Sequence, residues 1–241
     1  IPGVGLVFPP VPTSTEVVNM SGDDFGYGWN VGAVYEINSD HRIGLSYRSK
    51  VELAFEGDFT GLGTPTEDGS LTIDMPSIAE FSGFHQLTTQ WAAHYSVMFT
   101  QWSSFEKLEA YAGNELAFEK QENFEDTYRF ALGATYNLNQ EVTLRMGVAF
   151  DQSAAVEHRS ISIPDSDRLW YSAGATYQVN DTDSVDFGIS YVNGDNVVVT
   201  EEDALLAALP DALSPFVGNK DWGFSSEGNA LLLAVQYNKS F

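Results

Sequence analysis

The feature that most constrains the fold is a strict alternation of apolar and polar side chains along most of the chain. In one clear example, large apolar residues occupy every second position from Val185 to Tyr191, and Asp186, Gly188 and Ser190 lie between them. Successive side chains of a β-strand point to opposite faces, so a period of two is the pattern of a strand with one apolar face. The chain is therefore predicted to be all-β.

About nine segments carry this pattern, and they predict nine strands. In chain order they are residues 29–37, 42–55, 71–85, 90–102, 124–138, 142–150, 168–179, 185–191 and 229–241. Short connections at 38–41, 86–89, 137–140 and 180–183 alternate with long ones at 60–70, 103–123, 151–167 and 193–228. Short periplasmic turns and long external loops are the layout of an antiparallel outer-membrane β-barrel.

A glycine followed three residues later by an aromatic residue recurs in six of the predicted strands. The pairs are Gly32 and Tyr35, Gly44 and Tyr47, Gly133 and Tyr136, Gly147 and Phe150, Gly174 and Tyr177, and Gly188 and Tyr191. This spacing puts the glycine and the ring on opposite faces, so we expect a crowded interior and an outward aromatic girdle. A soluble β-sandwich also alternates, but its polar face would not usually carry so many glycines, which favours the barrel.

Composition excludes several classes of function. The formal net charge is -23, with 11 basic against 34 acidic residues, so nucleic-acid phosphates would be repelled. There is no cysteine, which excludes disulfides and thiolate metal sites. The histidines show no metal-ligand spacing, and no glycine-rich phosphate loop is present. We therefore expect no nucleic-acid partner, metal or cofactor.

One pair of residues raises the possibility of an enzyme. His94 and Ser96 lie two apart on one strand face, which could suggest a barrel lipase. Two residues that point the same way do not by themselves supply a base oriented by a third group. We expect no enzymatic activity.

The two ends of the chain suggest a barrel with more strands than the nine predicted. Phe241 follows an alternating apolar row that begins at Leu231, which resembles the C-terminal recognition signal of outer-membrane proteins. Bacterial single-chain barrels normally have an even strand number, so we expect further strands upstream and no closure between segments 29–37 and 229–241. The proline-rich residues 1–28 are predicted to end an extracellular loop, and residues 29–241 to form the C-terminal strands.

Four stretches resemble the FadL family of long-chain fatty-acid transporters. They are GWNVGAVYEI from Gly28, HRIGLSYRSKVELAFEGDF from His41, QWAAHYSVMFTQWSSFEKLEA from Gln90 and RSISIPDSDRLWYSAGATYQVN from Arg159. The resemblance implies a fourteen-stranded outer-membrane barrel of a Gram-negative bacterium, with an N-terminal hatch in the lumen and a lateral exit for the ligand. This chain would be its later strands. Its partners would be a hydrophobic ligand, outer-membrane lipid and lipopolysaccharide, and the early strands and hatch.

Lys120 resembles the lysine that the family places near the ligand carboxylate. A fatty acid has an anionic head and an apolar tail, so its site needs a cation at the end of an apolar pocket. Leu116 and Phe118 would then line the tail pocket. The alternatives are a solvated loop lysine among neighbouring glutamates, and ordinary barrel packing for the two apolar residues.

Four arginines fall on positions predicted to face the lumen. They are Arg48, Arg129, Arg145 and Arg168, with Glu36, Glu52, Asp165 and Asp167 as available partners. A buried cation must be paired, so we expect an ion-pair network that holds the barrel wall. Direct contact with substrate is the lesser alternative.

Three functional hypotheses remain open from the sequence. The first is passive uptake of long-chain fatty acids, or of aromatic hydrocarbons within the same family. The second is a structural or adhesive barrel whose loops bind host, phage or lipopolysaccharide. The third is a soluble binding sandwich. A cavity beside Lys120 would favour uptake, and a lumen filled by paired charges would favour the second. The helix-like segment 201–213 lies in the last long loop, where it could cap the extracellular mouth and offer an apolar landing patch; we expect it simply to cover the loop.

Overall fold

A computed structural model describes residues 18–61, 65–156, 159–160, 162–202 and 221–240. The described residues form sixteen strands, all paired antiparallel, and one short 3-10 turn at Trp102–Ser104. They divide into two compact units, one built mainly on a nine-stranded sheet and the other on a five-stranded sheet. The predicted all-β class is confirmed.

The nine-stranded sheet contains one strand for each of the nine predicted segments. Its strands are β2 Asn30–Asn38, β3 His41–Arg48, β6 Ile78–Gln86, β7 Trp91–Thr100, β10 Thr127–Asn137, β11 Val142–Asp151, β12 Arg168–Gln178, β13 Asp183–Gly194 and β16 Asn229–Lys239. Their order across the sheet is β16-β13-β12-β11-β10-β7-β6-β3-β2. β2 and β16 are the edge strands and do not pair with each other, as the sequence predicted.

The register of these strands puts apolar side chains on one face of the sheet. On β16, Leu233, Val235 and Tyr237 are 73%, 70% and 60% exposed, and Leu233 pairs with Ile189 on the same face. A face of this kind, uncovered and apolar, is what a strand presents to lipid. Phe241, at the end of that row, lies outside the described residues.

Aromatic side chains on the outer face form two rows, where the sequence predicted one girdle. Because neighbouring strands run antiparallel, equal sequence offsets alternate between the two ends of the sheet. Tyr35, Tyr136 and Tyr177 lie next to the short turns, whereas Tyr47, Phe150 and Tyr191 lie next to the long loops. A row at each interface is the arrangement that a transmembrane barrel requires.

The five-stranded sheet was not predicted. Its strands are β1 Val18–Asp23, β4 Val51–Gly61, β5 Glu67–Met75, β8 Lys107–Ala112 and β9 Glu115–Gln121, in the order β1-β4-β5-β8-β9. These segments were assigned to loops or to the ends of longer strands. β1 and β4 approach closely because Gly22 pairs with Gly57, where any Cβ would overlap the opposite backbone. A further hairpin is formed by β14 Val197–Glu202 and β15 Asp221–Ser226.

Segments predicted as single strands divide in two where one sheet gives way to the other. Within the predicted segment 42–55, β3 ends at Arg48 and β4 begins at Val51. Within the predicted segment 71–85, β5 ends at Met75 and β6 begins at Ile78. Pro76 lies in the second break, where its missing N–H could not join a ladder. Most of the helix-like segment 201–213 lies outside the described residues.

Buried apolar side chains gather within the long connections of the nine-stranded unit. Phe124, Ala154 and Ala155 form this cluster, with Trp102 and Phe105 packed against it. Within the described ranges no helix has the length and apolarity needed to span a membrane.

Candidate functional site

Lys120 lies near the end of β9, a strand at the edge of the five-stranded sheet. Leu116 and Phe118 share its face because alternate residues of a strand point the same way. The two apolar side chains are 49% and 47% exposed, and Lys120 is half-buried. Lys120 already makes a contact within the protein, so a ligand would compete with that contact.

A cavity of about 300 Å³ lies within the same sheet, and the structure does not place Lys120 beside it. It is lined by residues of β1, β4 and β5, among them Met20, Phe55 and Leu71. Lys120, assigned by resemblance, and its neighbours Leu116 and Phe118 thus share one strand face, on which the two apolar side chains are exposed. Their role in binding stays a prediction.

Two of the four lumen-facing arginines form an ion-pair cluster. Arg129 and Arg168 both approach Asp151, at 4.0 and 3.8 Å, and Arg168 also pairs with Asp165. Of the partners proposed from the sequence, Asp165 is therefore used. Asp151 was missed, although it continues the alternating row of β11 on the same face as Arg145.

The other two arginines do not join this cluster. Arg145 donates to Thr176 Oγ1 at 2.6 Å, and Arg48 makes no ion pair within the described part of the chain. Glu36 and Glu52 likewise form no ion pair within the described residues. The predicted network is therefore confined to the long-loop end of β10, β11 and β12.

The RSISIPDSDR segment forms a folded connection between β11 and β12. Asp167 accepts a hydrogen bond from the Ser153 N–H at 2.8 Å, and Asp165 accepts one from the Ala154 N–H at 2.9 Å. Arg159 Nε donates to the backbone carbonyl of Asp165 at 3.1 Å. The two aspartates thus satisfy backbone donors that a long loop would otherwise leave open.

A cavity of about 590 Å³ lies on the polar face of the nine-stranded sheet. Glycine, alanine and serine make up much of its lining, including three of the six glycines of the recurring glycine-aromatic pairs. The small residues on this face are Gly44, Ser82, Ser96, Ala131, Gly133, Gly147, Ala149 and Ser172. The expectation of small residues on the inner face is met, and the space that they leave is open.

Two guanidinium groups stack on aromatic rings in the lining of this cavity. The Arg42 guanidinium carbon lies 4.5 Å from the centroid of the Phe84 ring, and that of Arg129 lies 4.8 Å from the Trp170 ring. Arg42 was not among the residues singled out from the sequence. Arg42 is separated from Gly44 and Arg48 by an even number of positions, so alternation along β3 predicts that all three lie on the same face.

His94 does not form a catalytic pair with Ser96. Its Nε2 lies 2.9 Å from Thr135 Oγ1 on the neighbouring strand β10, and its ring packs edge-on against Phe84. This arrangement holds the imidazole against the wall. In the described ranges, no three His, Asp or Glu side chains are grouped so that they could hold a metal ion.

Comparisons with known proteins place the whole chain in one family. The family model described as outer membrane protein transport protein (OMPP1/FadL/TodX) matches residues 1–241. The long-chain fatty acid transport protein of Salmonella typhi is 38% identical over 100% of this chain and 55% of its own length. Outer membrane protein P1 of Haemophilus influenzae is 40% identical over 90% of this chain and 48% of its own length.

Solved structures show the same fold. A Pseudomonas aeruginosa FadL homologue matches with a TM-score of 0.74 at 22% identity, over 88% of this chain and 52% of that chain. The Pseudomonas putida toluene transporter TodX matches with a TM-score of 0.56 at 16% identity, over 90% of this chain and 50% of that chain. The chain thus spans about half the length of the proteins it matches.

The aromatic rows, the apolar outer face and the small inner residues agree with these matches. The nine-stranded sheet is part of an antiparallel transmembrane β-barrel, and the protein is an outer-membrane protein of the Gram-negative type. This chain belongs to the FadL family of outer-membrane transport proteins.

Proposed function

We propose that the protein of which this chain is part takes up long-chain fatty acids or closely similar hydrophobic carboxylates across the outer membrane. The supporting observation is the 38% identity, over the full chain, to a relative named long-chain fatty acid transport protein. Uptake is passive and proceeds by binding and release, with no covalent chemistry.

Lys120, Leu116 and Phe118 form the proposed ligand surface. Their common face offers one ammonium group and two exposed apolar side chains, which suits a molecule with an anionic head and an alkyl tail. The carboxylate would bind Lys120 through a charge-assisted hydrogen bond, and the tail would cover the two apolar side chains. Their exposure of nearly half means that binding buries further apolar area.

A neutral aromatic hydrocarbon is the alternative substrate within the family. One structural neighbour is the toluene transporter TodX, but at 16% identity the match supports a common fold and not a common substrate. A neutral ring can meet the ammonium group only through a cation–π contact, which is weaker than a charge-assisted hydrogen bond to a carboxylate. The presence of Lys120 on the proposed surface therefore favours an acid.

Replacement of Lys120 by alanine tests this proposal in the full-length protein. Loss of a charge-assisted contact is expected to weaken oleate binding about tenfold or more in a direct titration. Lys239→Ala is the control, because Lys239 lies at the short-turn end of β16 and pairs with Asp183. Oleate affinity that is equal in the parent and Lys120→Ala proteins would remove Lys120 from the site. If the protein binds toluene and not oleate, its substrate is an aromatic hydrocarbon and not a fatty acid.

A further inference from the structure

Two histidines from neighbouring strands meet at the short-turn end of the nine-stranded sheet. His41 is the first residue of β3, His85 is the last but one residue of β6, and the two are direct partners in the antiparallel ladder. Their Nδ1 atoms are 3.1 Å apart, and their ring centroids are 5.1 Å apart. In the sheet, β3 lies between β2 and β6, and β6 lies between β3 and β7. The pair is therefore surrounded by paired strands and does not lie at an edge.

The histidine pair lies on the outer face of the sheet. Leu45 and Phe81 are partners further along the same two strands, and they are 62% and 41% exposed. Each histidine lies four residues from one of them, so alternation puts both imidazoles on the same face. Both histidines are half-buried, and neither lines the cavity on the polar face. Because the short turns of outer-membrane barrels are periplasmic, the pair lies where the outer face meets the periplasmic surface.

The turn before β3 holds the backbone of both histidines in place. Asn38 Oδ1 accepts hydrogen bonds from the N–H groups of Asp40 and His41, both at 2.9 Å. The Gln86 N–H donates to the Asp40 carbonyl at 2.7 Å, which joins the end of β6 to the same turn. Side chains on a fixed backbone need little rearrangement to bind a common ligand.

Tyr95 on β7 supports the ring of His85 from the other side. The two rings stack with their centroids 5.6 Å apart, and the Tyr95 hydroxyl oxygen lies 3.5 Å from His85 Nε2. A hydroxyl there can accept the Nε2–H of a neutral imidazole, which is the tautomer whose Nδ1 carries a lone pair. Metal-binding histidines commonly donate their other ring N–H to such a partner, which fixes the orientation of the ring. His85 is thus arranged to bind a metal ion through Nδ1.

We propose that His41 and His85 bind a divalent transition-metal ion through their Nδ1 atoms, with water in the remaining positions. Two nitrogen ligands of such an ion are about 3.3 Å apart in a tetrahedral arrangement and about 2.9 Å apart at neighbouring corners of a square. The observed 3.1 Å lies between these values. Imidazole suits both Cu²⁺ and Zn²⁺, and Cu²⁺ binds nitrogen sites more tightly. The site does not depend on the proposed function.

A hydrogen bond between the two imidazoles is the alternative explanation of the short distance. In that arrangement one Nδ1 carries a proton and donates to the lone pair of the other. In the metal-bound arrangement both Nδ1 atoms carry lone pairs, and the ion takes the place of the shared proton. The number of imidazoles that bind one added ion therefore distinguishes the two arrangements.

Titration of the full-length protein with Cu²⁺, without a histidine tag, tests the site. Pulsed electron paramagnetic resonance counts the imidazoles bound to Cu²⁺, and two are expected in the parent protein. His41→Gln and His85→Gln should each leave one imidazole and weaken binding about tenfold or more, since loss of even a supporting residue costs roughly 10–100-fold. His94→Gln is the matched control, because His94 lies against Thr135 and away from the pair in the ladder. It should change neither result.

Several outcomes would overturn the site. They are no binding of Cu²⁺ by the parent protein, binding through a single imidazole, and binding that His41→Gln and His85→Gln leave unchanged. Displacement of Cu²⁺ by excess Ca²⁺ would also overturn it, because Ca²⁺ takes oxygen ligands and would show that carboxylates hold the ion. The heat-dependent shift in electrophoretic mobility shows whether each variant is folded, and the parent spectrum decides where a variant is not. Oleate binding is a separate measurement, and its failure would leave this site intact.

Discussion

At the scale of single residues, Asp151 is the anion on which the charge balance of the long-loop end depends. It approaches both Arg129 and Arg168, and Arg168 has a further partner in Asp165. The side chains of the two arginines are 36% and 42% exposed, so water screens these pairs and each is worth little. The cluster fixes side-chain positions more than it stabilises the fold.

Asp151→Asn is therefore expected to lower the free energy of unfolding by only about 1 kcal/mol. The measurement is urea denaturation of the protein folded into lipid vesicles, and the loss should shrink at high ionic strength. Glu36→Gln is the control, because Glu36 also faces the inner side and forms no ion pair within the described residues. A loss of several kcal/mol on Asp151→Asn would show that the cluster is sealed from water.

The candidate site could be predicted from the sequence only in part. Alternation placed Arg48, Arg129, Arg145 and Arg168 on the inner face, because a period of two fixes the face of every residue in a strand. It could not give their partners, which depend on the register between strands. Asp151, from the strand between those of Arg129 and Arg168, shows this limit.

At the scale of the strand, Tyr95 and Gly83 form a cross-strand pair on the outer face. The Tyr95 ring lies over Gly83 so closely that a Cβ there would overlap it, and the ring also stacks on His85 at 5.6 Å. A bare glycine covered by a neighbouring ring is a stabilising device of sheets. It holds β6 and β7 together near their centre.

Gly83→Ala is expected to displace the Tyr95 ring and to lower the free energy of unfolding by about 1 kcal/mol. Urea denaturation gives the free energy, and near-ultraviolet circular dichroism reports the change in the ring environment. Gly188→Ala serves as the control, since a Cβ at that position would meet only the Ala234 methyl group at 3.9 Å. Equal effects of the two substitutions would mean that the ring contributes nothing.

The strands of the large sheet could be predicted because each has one lipid-facing and one inner face. The five-stranded sheet could not, since β4 continues the alternation of β3 with the same period, so periodicity shows no boundary at Ser49. Pro76 was the one local signal of a break, and it falls between β5 and β6. β8 and β9 are short, and β8 pairs with β5, which lies far away in sequence, whereas β9 pairs with β8.

At the scale of the whole molecule, the two faces of the nine-stranded sheet meet different solvents. The outer face carries large apolar side chains along every strand, while the inner face carries the cavity, its two stacked arginines and the small residues between them. Neither face resembles the core of a soluble protein. The sheet is therefore stable only where lipid covers one side and polar groups or water cover the other.

Two neighbouring positions on β16 test this division of solvents. Leu233 is 73% exposed on the outer face, and Ala234 follows it on the inner face, opposite Gly188. Both lie near the middle of the strand, so they differ mainly in the face that they occupy. Leu233→Lys places an ammonium group in hydrocarbon and is expected to lower the free energy of unfolding in lipid vesicles by about 2–4 kcal/mol. Ala234→Lys should cost much less, because its side chain reaches the polar interior.

The free energies come from urea titration followed by the shift in electrophoretic mobility between folded and unfolded barrel. Leu233→Ser separates the cost of the charge from the loss of the apolar side chain, because serine removes the leucine without adding a charge. If Leu233→Lys is destabilising in vesicles and Ala234→Lys is not, the outer face is the lipid face. If the order is reversed, the assignment of the two faces is inverted, and the cavity and Arg42 would then face the membrane.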